Sequence, residues 1–304
     1  MRNMLNFVYS PNYCVDLGGH IFPTEKYRLI YENLKKEGLI TENNLHKPER
    51  PSNQDLLKIV NSEYLDDLLN ARLTPRTYLS ELPVRKDIIE WQILGCGGSF
   101  LCAKLALESG AGYHIGGGLH HAFSDHAEGF CYLNDVVFAA VKMLEQGIKK
   151  IAIIDCDLHQ GNGTARFFQN EGRVFTFSIH QEYLYPKKEK SDLDIGLDFD
   201  TEDQEYLEKL QFALNKIDEF NPSFIIYLAG ADPYIFDQLG SLRLTIEGLV
   251  KRDEMVIEYA YNKKLPIIVL LGGGYARELT DTVEIHCNTA RVLQRSYGVK
   301  KEIS

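Results

Sequence analysis

Apolar positions along this chain fall into two kinds of run that alternate with each other. Four blocks are apolar nearly throughout: Ile151–Ile154, Val174–His180 (VFTFSIH), Phe224–Gly230 (FIIYLAG) and Ile267–Tyr275 (IIVLLGGGY). Short continuous blocks rich in β-branched and aromatic residues predict strands covered on both faces, as in a parallel sheet. Leu5–Ser10 alternates instead and predicts a first strand, ended by Ser10-Pro11-Asn12. Between these blocks a helical period runs over Thr24–Glu37, Asn53–Leu73, Asp87–Ser109, Glu202–Phe220, Thr245–Asn262 and Asp281–Tyr297. One more helix starts near Asn134, which is placed to cap it. Residues 41–53, with Pro48 and Pro51, read as a polar connection, and 112–133, rich in glycine and histidine, as a loop. Strands that alternate with helices imply an α/β fold of three layers, a mostly parallel sheet with helices on both faces. No linker-like stretch divides residues 1–304, so they read as one domain.

Gly95-Cys96-Gly97-Gly98 lies inside a predicted helix, without the spacing or the preceding strand of a nucleotide loop, and reads as close helix packing. The composition is that of a soluble globular protein, 44% hydrophobic and 25% charged over 304 residues. A net charge of −10 argues against a direct nucleic-acid partner, because phosphate contacts need a basic patch. The six cysteines are scattered with no Cys-x-x-Cys pair, which points to reduced thiols in a cytoplasm and not to a disulfide framework or structural zinc. The opening stretch is too short in apolar residues for a signal peptide, and no run approaches membrane-spanning length.

Open α/β sheets bind ligands beyond the carboxyl ends of their strands, and several reactive groups fall there. Asp155, Asp157 and His159 follow the Ile151 block, Asp232 follows FIIYLAG, and Tyr275 follows IIVLLGGG. His120-His121, after three glycines, makes a fourth polar cluster. In an extended segment the side chains of residues 155, 157 and 159 share one side. Two carboxylates and one imidazole make three ligands and leave a position open, the pattern of a catalytic metal site; the donors suit zinc and also ferrous iron. Each group also has a plain structural reading: an aspartate capping a helix, an aspartate in a turn, loop histidines, a packed tyrosine. Their joint position at strand ends favours a site.

The segments GGGLHHA, GFCYLND, IDCDLHQGNGT, LAGADP and LLGGGY, in this order over roughly residues 1 to 295, resemble the zinc-dependent histone deacetylase family of the arginase/deacetylase superfamily. The HQGNG stretch, the segment 239–254 and the compact length look most like its class IV branch. The resemblance implies a metal-dependent amidohydrolase that removes an acetyl or longer fatty acyl group from lysine side chains or lysine-like amines, acylated polyamines included. It assigns Asp157, His159 and Asp232 to the metal, His121 as general base and then acid, His120 to water orientation, and Tyr275 to the oxyanion. Asp155 and Asn162 back the two histidines; class I members carry Asp where this chain has Asn162. Gly129, Phe130, Tyr185 and Gly274 would meet the substrate, with the two rings sandwiching the lysine methylenes. Asp155, Asp157, His159, Ser178 and Ile179 match a site for potassium. Residues 74–86 do not place the family's substrate-clamping rim aspartate. Two other classes remain: a ureohydrolase, which needs bridging acids where this chain has Gly161 and Gly230-Ala231, and a silent acyl-amine binding module. Oligomeric state is not legible.

Overall fold

The computed structural model describes residues 5–298. Eight strands form one sheet: β1 (Asn6–Val8), β2 (Leu45–His46), β3 (Ala111–His114), β4 (Ile151–Asp155), β5 (Val174–Gln181), β6 (Leu193–Leu197), β7 (Phe224–Leu228) and β8 (Ile267–Leu270). Their order is β2-β1-β3-β8-β7-β4-β5-β6, and every pairing is parallel. The apolar blocks take the middle: β4, β7 and β8 are buried at every residue, as a sheet covered on both faces requires.

Among the described residues ten α-helices accompany the sheet: α1 (Glu25–Lys36), α2 (Asn53–Leu56), α3 (Ser62–Leu69), α4 (Pro75–Tyr78), α5 (Lys86–Ser109), α6 (Asp135–Glu145), α7 (Asn162–Phe168), α8 (Asp203–Phe220), α9 (Ile246–Asn262) and α10 (Leu279–Tyr297). Seven of them pack as two series, α5–α6–α7 and α1–α10–α9–α8, the two outer layers of an α/β sandwich, and α3 packs against α4 and α5. None of the helices among the described residues is long and apolar enough to cross a membrane.

Four local expectations change. Residues 111–114 form a strand, not a loop; Ala-Gly-Tyr-His has no apolar run, but β1 and β8 supply hydrogen bonds on both sides. Strands β2 and β6 arise in segments of mixed polarity that carry no block. The stretch 53–73 breaks into α2 and α3, because Asn61 caps a new start by accepting the Tyr64 N–H. The last apolar block ends at Leu270, and a glycine turn with Gly272 at φ +69° follows. Two glycines of α5 serve close packing, whereas Gly95 faces open space: a β-carbon on Gly97 would lie 1.9 Å from the Glu49 carbonyl oxygen, and one on Gly98 2.4 Å from His114 Nε2.

Candidate active site

The carboxyl end of β4 curls because its own acids bond the chain that follows. Asp155 Oδ1 accepts the Asp157 N–H at 3.1 Å, and Asp157 Oδ1 accepts the His159 N–H at 3.0 Å, the side-chain turns that aspartate forms with the backbone two residues on. Asp157 Oδ2 also accepts the Gly273 N–H at 2.7 Å, which ties this turn to the end of β8. Asp232, past β7, accepts the Leu158 N–H at 3.0 Å through Oδ1. Behind both turns the buried Arg252 of α9 donates to the Gly230 carbonyl and pairs with Asp253.

Asp157, His159 and Asp232 are thereby brought together, all buried, with one donor atom from each within 4.8 Å of the others. His159 Nδ1 lies 3.3 Å from Asp157 Oδ1 and 3.3 Å from Asp232 Oδ2. Asp232 Oδ2 nevertheless accepts no hydrogen bond. A buried carboxylate oxygen without a donor is costly, and a divalent cation held by these three groups removes that cost. The residues therefore fit a metal ion, and the oxygen-rich donor set suits Zn²⁺ or Fe²⁺. Protonation follows the same crowding. Burial, then the charge of Asp157, raises Asp232 to about 6. Burial would lower His159, but the two carboxylates outweigh it and raise it to about 10. Glycine is needed at the floor: a β-carbon on Gly273 would fall 2.1 Å from Asp232 Oδ2.

The histidine pair hangs from the start of α6. Asp135 accepts the N–H groups of Leu119 and Gly118 at 2.7 and 3.1 Å, and Asn134 donates to the His120 carbonyl at 3.1 Å. Ser99 and His114 continue this buried network behind Asp135. His120 Nδ1 meets Asp155 Oδ2 at 2.7 Å. His121 Nδ1 meets Asn162 Oδ1 at 2.8 Å, while Asn162 Nδ2 donates to Glu128 at 2.9 Å. Because the Glu128 carboxylate claims the amide N–H, the Asn162 oxygen is the acceptor, and His121 carries its proton on Nδ1 with Nε2 free as a base. The two imidazoles diverge in charge. Burial would lower His120, but Asp155 and Asp157 outweigh it and raise it to about 9. Burial, then His120 and His159, hold His121 well below the ordinary histidine value.

A cavity of about 330 Å³ is lined by His120, His121, Asp157, His159 and Tyr275, together with Gly129, Phe130 and the exposed Tyr185. Phe130, at φ +64°, is pinned through its N–H to Ser80 and its carbonyl to Gln92. Tyr275 is buried between the rings of Phe22 and Phe130, at 5.8 and 6.0 Å. Its N–H goes to Asp237 at 2.7 Å and its carbonyl accepts from Gln238 at 2.8 Å. Gly272 and Gly273 line the cavity, whereas Gly274 faces Thr282 and Ala231 and serves the closeness of the turn. Register pairs Asp155 with Ser178 across β4 and β5, so the potassium candidates are neighbours. Within residues 74–86, Glu81, at φ +62°, borders this cavity.

Sequence reasoning missed four supports: Asp135, Asp237, Gln238 and Lys26, whose buried ammonium donates to the Gly272 carbonyl at 3.0 Å. Their partners lie up to 246 residues away along the chain, and no local pattern marks them.

The histone deacetylase domain pattern matches residues 20–290. The chain belongs to the histone deacetylase family. An uncharacterized protein of Picosynechococcus sp. is 35% identical over 295 residues, covering 95% of this chain and 98% of its own. Histone deacetylase 2 of Arabidopsis thaliana is 31% identical, with 92% and 78% covered. Histone deacetylase 1 of Homo sapiens is 28% identical; 84% of this chain spans 58% of that longer protein. The crystal structure of the HDA15 HD domain superposes with a TM-score of 0.81 at 22% identity over 97% of this chain and 92% of that one, a likeness of fold. By family this deacetylase is a hydrolase that acts on an acylated substrate.

Proposed function

We propose that this single catalytic unit hydrolyses the amide of an acylated lysine side chain or lysine-like amine, releasing acetate or a longer fatty acid. The observation that carries the reading is the buried Asp232 oxygen without a donor, set beside Asp157 and His159, which line a cavity together with a neutral, correctly polarised His121. Asp157, His159 and Asp232 would hold Zn²⁺, or Fe²⁺, which supplies Lewis-acid polarisation of the amide carbonyl and acidifies water. His121 Nε2 takes the proton of the attacking water, and its depressed pKa keeps it available as a base at neutral pH. His120, charged and paired with Asp155, orients that water and offsets developing negative charge. Tyr275 donates its hydroxyl to the carbonyl oxygen as negative charge builds there. The protonated His121 then delivers its proton to the leaving amine. Phe130 and Tyr185 bracket the lysine methylenes, with Gly129 beside the substrate amide.

Three finer readings have support of their own. The Gln160-Gly161-Asn162-Gly163 stretch favours the class IV branch. The adjacency of Asp155 and Ser178 favours potassium beside the metal site, bound by backbone oxygens of Asp155, Asp157, His159, Ser178 and Ile179. Six unpaired cysteines favour a reducing cytoplasm. Against a ureohydrolase stand Gly161 and Gly230, where a second metal would need acids.

The deciding experiment pairs metal analysis with hydrolysis of a fluorogenic acyl-lysine peptide. We expect about one zinc or iron per chain, turnover by the wild type, and loss of both metal and turnover in Asp157→Ala. Two metals per chain with guanidine hydrolysis, or tight peptide binding without cleavage, would overturn the proposal.

A further inference from the structure

A second cavity, about 1160 Å³, opens beside the tunnel and shares Glu81 and Tyr185 with it. One wall is the segment 73–84. There Leu73, Tyr78 and Leu79 are 73%, 70% and 47% exposed, three large apolar side chains in seven residues turned to water. This wall is firmly built. Thr74 and Thr77 form a capping box at α4, Arg76 pairs with Asp67 at 3.1 Å and Glu63 at 2.7 Å, and Thr77 donates to the Arg72 carbonyl at 2.7 Å. Two backbone bonds, Phe130 N–H to Ser80 and Ala127 N–H to Arg76, fasten it to the loop that carries the tunnel wall. A rigid apolar surface of this kind marks a binding site more often than chance exposure does.

We infer that this groove holds the carrier of the acylated amine, and that the carrier is a peptide with a bulky apolar residue next to the modified lysine. The inference rests on the deacylase reading. A lysine side chain in the tunnel leaves its Cα at the mouth, where Glu81 and Tyr185 border both cavities. The next Cα lies about 3.8 Å further on, so the neighbouring side chain enters the second cavity, whose lining includes Leu73, Tyr78 and Leu79. An acylated polyamine would set its second ammonium against Glu81 and leave the apolar wall in water. Glu128, the other acid of the groove, is already engaged by Asn162. A leucine or phenylalanine side chain covers the wall and gains from that burial.

The test is steady-state kinetics of the metal-loaded protein on acetyl-lysine peptides that differ only in the neighbouring residue, with acetylputrescine, acetylspermidine and N-acetyl-lysine amide alongside. Leu and Phe neighbours should exceed Gly by about tenfold or more in kcat/KM, through KM. The double variant Leu73→Ser/Tyr78→Ser should shrink that preference to about twofold while leaving N-acetyl-lysine amide unaffected; both side chains are largely exposed, so folding is not at issue. Equal kcat/KM for all neighbours, or faster cleavage of the acetylated polyamines than of every peptide, would overturn the inference. Should neither these substrates nor the same peptides carrying myristoyl-lysine turn over, the deacylase reading fails. The groove is then judged by fluorescence anisotropy of labelled Leu- and Gly-flanked peptides on Tyr275→Phe protein: tighter binding of the Leu peptide sustains it, and equal binding sinks it.

Discussion

The floor of the site and its rim are held by opposite means. On the floor, Asp157 and Asp232 are buried, and each is aimed by backbone N–H groups from another turn: Gly273 to Asp157 and Leu158 to Asp232. Lys26 and Arg252 lock the same turns from behind. A side chain fixed in that way has almost no conformational freedom left to lose, which is how a catalytic geometry is preorganised. At the rim the backbone is fastened, but Leu73, Tyr78 and Leu79 project into water. The contrast assigns the reaction to the floor and the choice of substrate to the rim. Floor variants should therefore change turnover or metal retention, and rim variants should change KM.

The largest expected effect short of removing a metal ligand comes from Tyr275→Phe. It should lower kcat by about 10²- to 10³-fold, the usual cost of one oxyanion donor. Metal content should stay that of the wild type, since Tyr275 is oriented by Asp237 and Gln238 and not by the ligands. Loss of metal in this variant would join tyrosine and ligands into one structural unit and blur the division. Next is Gly273→Ala. The added methyl would collide with Asp232 Oδ2, so Asp232 or the turn must shift. Metal affinity should fall by about 10- to 100-fold, as when a ligand's support is disturbed, which competition with a chelator would measure.

The floor was legible in sequence wherever a strong apolar block runs straight into polar residues. Ile151–Asp155 followed by Asp157 and His159, and Phe224–Leu228 followed by Asp232, need only parallel-sheet logic to converge. Strand β3 was not legible: Gly112 and His114 break the apolar pattern, and the segment is a strand because β1 and β8 flank it. Asp135 looked like an ordinary acid in a helix's first turn, yet it carries the loop before the histidine pair. The rim was the least legible part. Residues 53–86 break into three short helices whose arrangement depends on side-chain bonds such as Arg76 to Asp67 and Glu63, and charge pairs of that kind have no period to read.

A smaller effect separates the two histidines. His121 is backed by a neutral amide, whereas His120 is backed by a carboxylate. Burial, then the charges of His120 and His159, already press His121 down, and Asn162 offsets this only in part. The acidic limb of kcat/KM against pH reports protonation of this base, and activity falls as pH drops through its pKa. Asn162→Asp puts a negative charge against Nδ1, favours the imidazolium and raises that pKa. The acidic limb should therefore move to higher pH by about one unit, equivalent to about 1.4 kcal/mol. An unmoved limb would mean that another group limits the rate at low pH.

The smallest effect is that of Leu73→Ser on stability, and set against a core variant it tests whether the rim is an addition to the fold or a part of it. Ile153 lies fully inside β4, between β5 and β7. Ile153→Ala removes three carbons from a packed sheet and should cost about 2–5 kcal/mol. Leu73 is largely exposed, and α4 is held by hydrogen bonds and ion pairs that do not involve its side chain. Leu73→Ser should change the free energy of unfolding by no more than about 0.5 kcal/mol in urea titration. A fold that ignores this side chain while the KM of apolar-flanked peptides responds to it would show that its exposure serves binding. A cost above about 1 kcal/mol would instead make Leu73 part of the packing beneath α4, and the boundary between floor and rim would have to be drawn further out.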